Sequence, residues 1–439
     1  MIATFSHRIK RFLVARGTIL VILLLLTLCV AAANIVPQRV RESDGMTGAP
    51  AAAGGFARLV TAVGLDHVFS TWWFVALTLL FLASLLASTG DQYRLARGRS
   101  LQRPVPGGGE EGCPVLVSPE GLAAALGREG YRLMAEADGA RRYVRAVWGY
   151  WGNVLLHLGM VVVVIFSLVY ILTEHRVIAQ VVGGEPLDLR SGLPERRGLL
   201  ARPLPLPETV VLDRLIPQFW ANDSLKSLDS ELTFKNAGRA EPFAVGVNDK
   251  GRYRGMIVYQ RNNFGTAFLL EYSRDGVRPE RRVFYLPMPL RREKAAYGND
   301  TIDGYLLKAK YYASPDRKRM LPVEPILTLR LMQGEGGLGE ASLRPGETGT
   351  IGPYRITLHD ARWWTELLFE GSRGTAGIFT GFALLLVGGA LAYFVAPREV
   401  VVVTGEGGTR AWWRAVRFTD FYRAERERIH SLCKGDNTP

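Results

Sequence analysis

Four stretches of this chain stay apolar long enough to set its class: Gly17–Val36, Thr71–Ser88, Val147–Leu172 and Gly374–Ala396. A helix needs about 20 mostly apolar residues to cross the hydrocarbon core of a bilayer. None of the four carries Asp, Glu, Lys or Arg in its middle. The pattern predicts an integral membrane protein with four transmembrane α-helices. The first stretch has a basic front (Arg8, Lys10, Arg11, Arg16), as a signal peptide does. It is longer than the usual apolar region of one, and Asn34-Ile35-Val36-Pro37-Gln38 makes a poor cleavage site. We read it as a retained helix.

Between the second and third stretches the pattern changes. A Pro/Gly linker, RPVPGGGEEG, leads into alternating and helical signals. Val115–Val117 reads as a strand and Pro119–Gly127 as a helix, with Ser118 as N-cap and Pro119 at its first position. Tyr131–Met134 and Arg142–Val147 read as strands around the turn Ala137-Asp138-Gly139. The expectation is a small α/β insert. Beyond the third stretch, period-two runs such as Arg252–Arg261, Ala267–Tyr272 and Ile326–Met332 alternate with turn signals such as Asn248-Asp249-Lys250-Gly251 and Asp275-Gly276. This predicts a large β-rich domain of sandwich or open-barrel type, with Ala201–Pro207 as an extended connector. The expected layout is 1–90 with helices one and two, 91–147 as linker and α/β module, and 148–172 as the third helix. It continues with 173–373 as the β domain, 374–396 as the fourth helix, and 397–439 as a basic tail.

Charge orients these parts. Basic residues crowd before the first stretch, after the second (Arg94, Arg97, Arg99, Arg103), before the third (Arg141, Arg142, Arg145) and after the fourth (Arg398, Arg410, Arg414, Arg417). If all four stretches span, these flanks share one side, which the positive-inside rule makes cytoplasmic. Both termini and the small module are then cytoplasmic, and the β domain is extracytoplasmic. The net charge of +13 is largely accounted for in this way, and no nucleic-acid partner is expected. The three cysteines, Cys29, Cys113 and Cys433, all lie outside 173–373. The β domain therefore has no disulfide or catalytic thiol of its own. Walker, HExxH, CxxC and CxxCH motifs are absent from the sequence, and no GxGxxG is set between a predicted strand and a predicted helix as a nucleotide-binding loop is.

One residue inside the apolar stretches carries chemistry. His157 lies about 14 Å along the third helix from Trp148, at 1.5 Å per residue. Tyr150 and Asn153 fall within about 60° of it on a helical wheel. An intramembrane histidine is either a ligand, haem iron being one target, or a neutral ring hydrogen-bonded across helices. His67, His175 and His359 are weaker candidates that would have to converge above the membrane, and His7 and His430 sit in basic ends. Trp72-Trp73, Trp363-Trp364 and Trp412-Trp413 flank the stretches as an aromatic belt would, or as a haem-facing surface would. In the last stretch Gly374, Gly377, Gly381 and Gly388 share a face, which either docks a partner membrane protein or packs within this chain.

These features together resemble the ResB/CcsB family of System II cytochrome c biogenesis proteins. The resembling segments are Ile35-Val36-Pro37-Gln38, DHVFSTWWF from Asp66 to Phe74, GNVLLHLGM around His157, and VNDKGRYRGMIVYQRNNFG from Val247 to Gly265. Some relatives end the second span with cysteine where this chain has Ala87-Ser88-Thr89. The resemblance implies a bacterial inner-membrane component that works with a ResC/CcsA-type partner, and with thiol-reducing membrane proteins, in haem export and attachment to apocytochrome c CxxCH sites. It implies His157 as an axial ligand to haem b shared with the partner, with Asn153 and Tyr150 supporting it, and makes the chain a non-catalytic or co-catalytic subunit of a haem lyase. The alternatives are a membrane-anchored binding or sensor protein and a purely structural assembly factor.

Overall fold

The computed structural model describes residues 2–36, 60–65, 68–105, 112–190, 192–274, 278–320, 324–334, 336–405 and 408–435. His67, Asp66 and Pro37-Gln38 lie outside the described residues. The helices are α1 (Ile2–Leu13), α2 (Arg16–Ile35), α3 (Trp72–Ser100), α4 (Pro119–Arg128), α5 (Gly152–Thr173), α6 (Thr375–Phe394) and α7 (Arg423–Lys434). Four of them, α2, α3, α5 and α6, are long and apolar enough to cross a membrane. The chain divides into two compact units, one made of 1–31, 72–169 and 374–439, the other of 32–71 and 170–373.

In the first unit the basic front of the chain is itself a helix. The ion pair of Lys10 with Asp91, and Ser84 Oγ donating to the Leu13 carbonyl at 2.7 Å, fasten α1 to α3. Helix α3 runs 29 residues, about 44 Å at 1.5 Å per residue. Its last turns carry Asp91, Arg94, Arg97 and Arg99. Helices α5 and α6 meet through their glycines. A Cβ at Gly152 would collide with the Ala392 backbone, one at Gly159 with Leu385 N and Gly381 O, and one at Gly388 with Leu155 and Leu156. Gly377 and Gly381 receive Phe166 and Val163 in the same way. The glycine face of the last span is therefore used inside this chain, because only residues without Cβ let two helix backbones approach this closely.

The small module is larger than the sequence shows. Ser118 Oγ accepts from Gly121 N at 3.1 Å and caps α4, with Pro119 in its first turn. The hairpin Arg132–Ala137/Ala140–Arg145 turns at Asp138 and Gly139, both at positive φ. The segment 397–439 does not stand apart as a tail. Strands Arg398–Gly405 and Gly408–Ala415 enter the same five-stranded sheet, with Arg398–Gly405 paired to Ala140–Arg145. Helix α7 completes a core of Leu122, Leu126, Tyr131, Tyr143, Val400, Val402, Trp413, Ile429, Cys113 and Cys433. Two parts of the chain separated by a β domain and two spans thus form one fold.

The β domain in the second unit contains antiparallel sheets of seven, four and four strands among its described residues. Two strands are exceptional in length, Met256–Arg274 with 19 residues and Tyr354–Gly371 with 18, and they pair with each other over most of that length. At about 3.3 Å per residue they extend about 60 Å. Their two halves serve different cores. Phe268, Leu270, Tyr354, Ile356 and Leu358 pack with the 280–351 strands, whereas Val258, Phe264, Leu367 and Phe369 pack with the 177–253 strands. The domain is a pair of sandwich lobes sharing one central ribbon.

Candidate functional site

His157 lies on α5 five residues from Gly152 and two from Gly159. At 100° per residue its side chain points about 140–160° away from the face that packs on α6. The ring is half-buried, and Nδ1 lies 2.9 Å from the backbone oxygen of Asn153, one turn earlier. A carbonyl only accepts, so Nδ1 carries the proton and donates. In the neutral ring the lone pair is then on Nε2, at the outer end of the ring. Fixing one nitrogen by a carbonyl bond while the other stays a base is how protein-bound histidines are prepared for metals.

Asn153 orients His157 through its carbonyl, while its amide side is exposed. Tyr150 does not belong to the same stripe. It ends the 3₁₀ turn Val147–Tyr150 ahead of α5, is buried, and its hydroxyl accepts from Arg142 Nη2 at 3.2 Å. Arg142 is 1 % exposed. Its Nε donates to Glu399 Oε2 at 2.6 Å, and Nη1 reaches the carbonyls of Ser100 at 3.4 Å and Gln102 at 3.3 Å. One buried guanidinium thus ties the carboxyl end of α3, the 3₁₀ turn before α5 and the strand after α6. A cation at unsatisfied helix C-terminal carbonyls also meets the favourable end of the helix dipole. Sequence reasoning counted Arg142 among the orienting basic residues and missed this clamp, because burial of a single arginine leaves no local signal.

The other histidines go elsewhere. His175 is buried at the start of strand His175–Val182, with Nδ1 3.1 Å from Arg202 O and Nε2 2.9 Å from Glu195. Both nitrogens face acceptors. It borders an ion cluster in which Arg176 contacts Glu174 at 2.9 Å and Glu370 at 3.1 Å, while the Tyr170 hydroxyl donates to Glu370. His359 is on the surface beside Glu271, at 3.3 Å. It sits twelve residues before Gly371, the register partner of His175, so about 40 Å of strand separates the two histidines. His175 and His359 do not converge.

The tryptophan pairs divide as well. Trp72 opens α3 and is exposed, as a belt residue is. Trp364 is buried and donates Nε1 to Leu286 O at 2.9 Å, and Trp413 is buried and donates Nε1 to the Tyr131 hydroxyl at 2.8 Å. Trp363 lines a cleft of about 360 Å³ in the β domain with Arg214, Thr266, Pro325 and Arg362. Within the Val247–Gly265 segment, Gln260 is buried, bonded to Ser230 and Thr365 at 2.5 Å each. It pins the central ribbon to the neighbouring sheet.

Four helices able to span a bilayer, a glycine-packed helix pair presenting one histidine and a two-lobed β domain define a polytopic membrane protein with a large appended domain. The ResB-like family model matches residues 19–336, and the chain belongs to that family. Its similar curated relatives carry the name cytochrome c biogenesis protein CcsB. The protein of Thermosynechococcus vestitus is 27 % identical over 412 residues, covering 88 % of this chain and 87 % of that one. The protein of Trichormus variabilis is 23 % identical over 356 residues, covering 77 % and 72 %. The protein of Synechococcus sp. is 25 % identical over 365 residues, covering 77 % and 71 %.

Proposed function

We propose that this protein acts in cytochrome c biogenesis, as the ResB half of a System II cytochrome c synthetase. In this reading it works with a ResC/CcsA-type membrane partner to export haem and attach it to apocytochrome c CxxCH sites. The observation that carries the reading is the His157 ring, held at Nδ1 by the Asn153 carbonyl and with no hydrogen-bond partner at Nε2 among the described residues, inside an apolar helix. That geometry suits one axial bond to the iron of a haem b in transit, with the second ligand from the partner. The protein sits in the bacterial inner membrane, termini and small module in the cytoplasm and β domain outside, as the basic flanks orient it.

Each part of the chain has a task in this scheme. The packing of α5 on α6 and the Arg142 clamp hold His157 at one depth and rotation, which limits where iron can be bound. The β domain receives the apocytochrome, an extended CxxCH segment adding along a strand edge. No cysteine lies in 173–373, so the reductant that keeps the substrate thiols free comes from separate thiol-reducing membrane proteins.

The test is the haem spectrum of the purified chain, alone and co-expressed with the partner, for wild type and His157→Ala. Co-purified haem that is lost or turns high-spin in the variant, with cytochrome c maturation reduced, supports ligation. Unchanged haem content and maturation would reject it and leave the chain a scaffold for a haem-carrying partner.

A further inference from the structure

The loop that follows strand Gly408–Ala415 exposes three apolar side chains in six residues, although it ends at Tyr422, which packs on the module core and meets Phe421 edge-on with ring centroids 5.0 Å apart. Val416, Phe418 and Phe421 are 40 %, 55 % and 81 % exposed. The loop is ordered by its backbone: Phe421 N donates to Phe418 O at 3.0 Å, Tyr422 N to Thr419 O at 3.2 Å and Arg423 N to Asp420 O at 3.3 Å. Phe418 adopts φ +59°. A bulky L-residue there is a steric outlier, retained only when the surroundings require it.

Its place in the fold says what lies against it. Val416 N donates to Pro397 O at 3.0 Å, and Pro397 follows α6 by three residues. The last residues of that helix, Tyr393 and Phe394, are themselves exposed, as lipid-facing residues are. Arg423, which follows the loop, is exposed, while Arg414, before it, is paired with Glu399. Apolar rings at the end of a span, beside arginines, match the layer where headgroups meet acyl chains.

We propose that Val416–Tyr422 is a membrane-surface anchor, with Phe418 and Phe421 inserted at the acyl boundary and Arg423 on anionic headgroups. It seats the small module on the bilayer at the level where α6 ends. The Trp412-Trp413 pair, read from the sequence as a belt or a haem-facing surface, turns partly into the module core, and Phe418 and Phe421 take the belt position. The inference rests on α6 being a span, and the test separates the two.

Nitroxide labels would be placed in the full chain, with Cys29→Ala, at Phe418→Cys, Phe421→Cys, Thr404→Cys and Leu386→Cys. Cys113 and Cys433 are buried and would not compete for the label. The chain is studied in nanodiscs of zwitterionic lipid with and without anionic lipid, comparing accessibility to oxygen and to a water-soluble nickel chelate. Leu386, mid-helix and exposed, should read as hydrocarbon, and Thr404, near the far tip of the hairpin, as water. The labels at 418 and 421 should read as interfacial, and shallower without anionic lipid. Water-like values there, with Leu386 still in hydrocarbon, overturn the anchor. So does immobilisation with neither probe reaching the label, which marks a protein contact. A water-like Leu386 overturns the span reading instead. In addition, Phe418→Gly should move the 421 label toward water without lowering thermal stability, because glycine accepts positive φ. A loss of stability with no change in depth would show the ring to be structural.

Discussion

Arg142 and Glu399 are 1 % and 2 % exposed, so removing Glu399 leaves Arg142 as a buried charge without its counter-ion, whereas removing Arg142 leaves Glu399 paired with Arg414 alone. Breaking such a pair costs about 3–5 kcal/mol, whereas replacing both partners costs much less. Glu399→Leu is therefore expected to lower stability by about 3–5 kcal/mol, Arg142→Leu by less because Arg414 remains on Glu399, and the double substitution by less than the sum of the singles. Thermal unfolding in detergent reads all three. A second expectation concerns pH. Burial, and contact with the Cys113 thiol, push Cys433 from the ordinary 9.0 up to about 12. Between those values the unfolded chain has lost this proton and the folded chain has kept it, so stability falls as pH rises. It is fully present below about 9. The protection factors of α7 amides, taken against base-catalysed intrinsic exchange, should fall between about pH 9 and 12, and Cys433→Ala should flatten part of that fall. Tyr131 contributes in the same direction, its hydroxyl raised by burial and by its bond to Glu425, so the slope will not vanish.

At the scale of elements, adjacent glycines in α6 differ sharply. A Cβ at Gly388 meets the Leu155–Leu156 backbone, while one at Gly389 meets nothing within 4 Å. Gly388→Val should cost about 1–3 kcal/mol by forcing α5 and α6 apart. Gly389→Ala should be neutral to within about 0.5 kcal/mol, or slightly stabilising in a helix interior. If both substitutions shift the melting midpoint equally, the glycine face has been misplaced. The spans were legible because each is a long run without charge, and α4 because Ser118 and Pro119 mark its start. The hairpin Arg398–Gly405/Gly408–Ala415 also left a signal, VVVVT and TRAWWRA around a glycine turn. The density of arginines obscured it.

For the whole molecule, the long ribbon Met256–Arg274/Tyr354–Gly371 belongs to both β lobes, so neither lobe has a complete core without it. Phe268 is fully buried in one of them. Phe268→Ala should cost about 3–5 kcal/mol. It should also lower protection from hydrogen exchange in the 177–253 strands, although these touch the other core. Independent loss confined to the 280–351 strands would show that the lobes fold separately.

Chain order and hydrophobic period by themselves determined four apolar helices, a β-rich segment, an α/β insert and the single polar ring at His157. These are local properties, since a run length or a two-residue alternation is complete within a few turns of chain. Only the tertiary structure decided that residues 398–434 complete the insert's fold and that two lobes share one ribbon. It alone placed Arg142 between the end of α3, the turn before α5 and the strand after α6, and it alone showed that the glycine face was spent inside the chain. Each of these depends on which distant segment supplies the missing surface, partner charge or backbone, and no window of sequence contains both halves of such a contact.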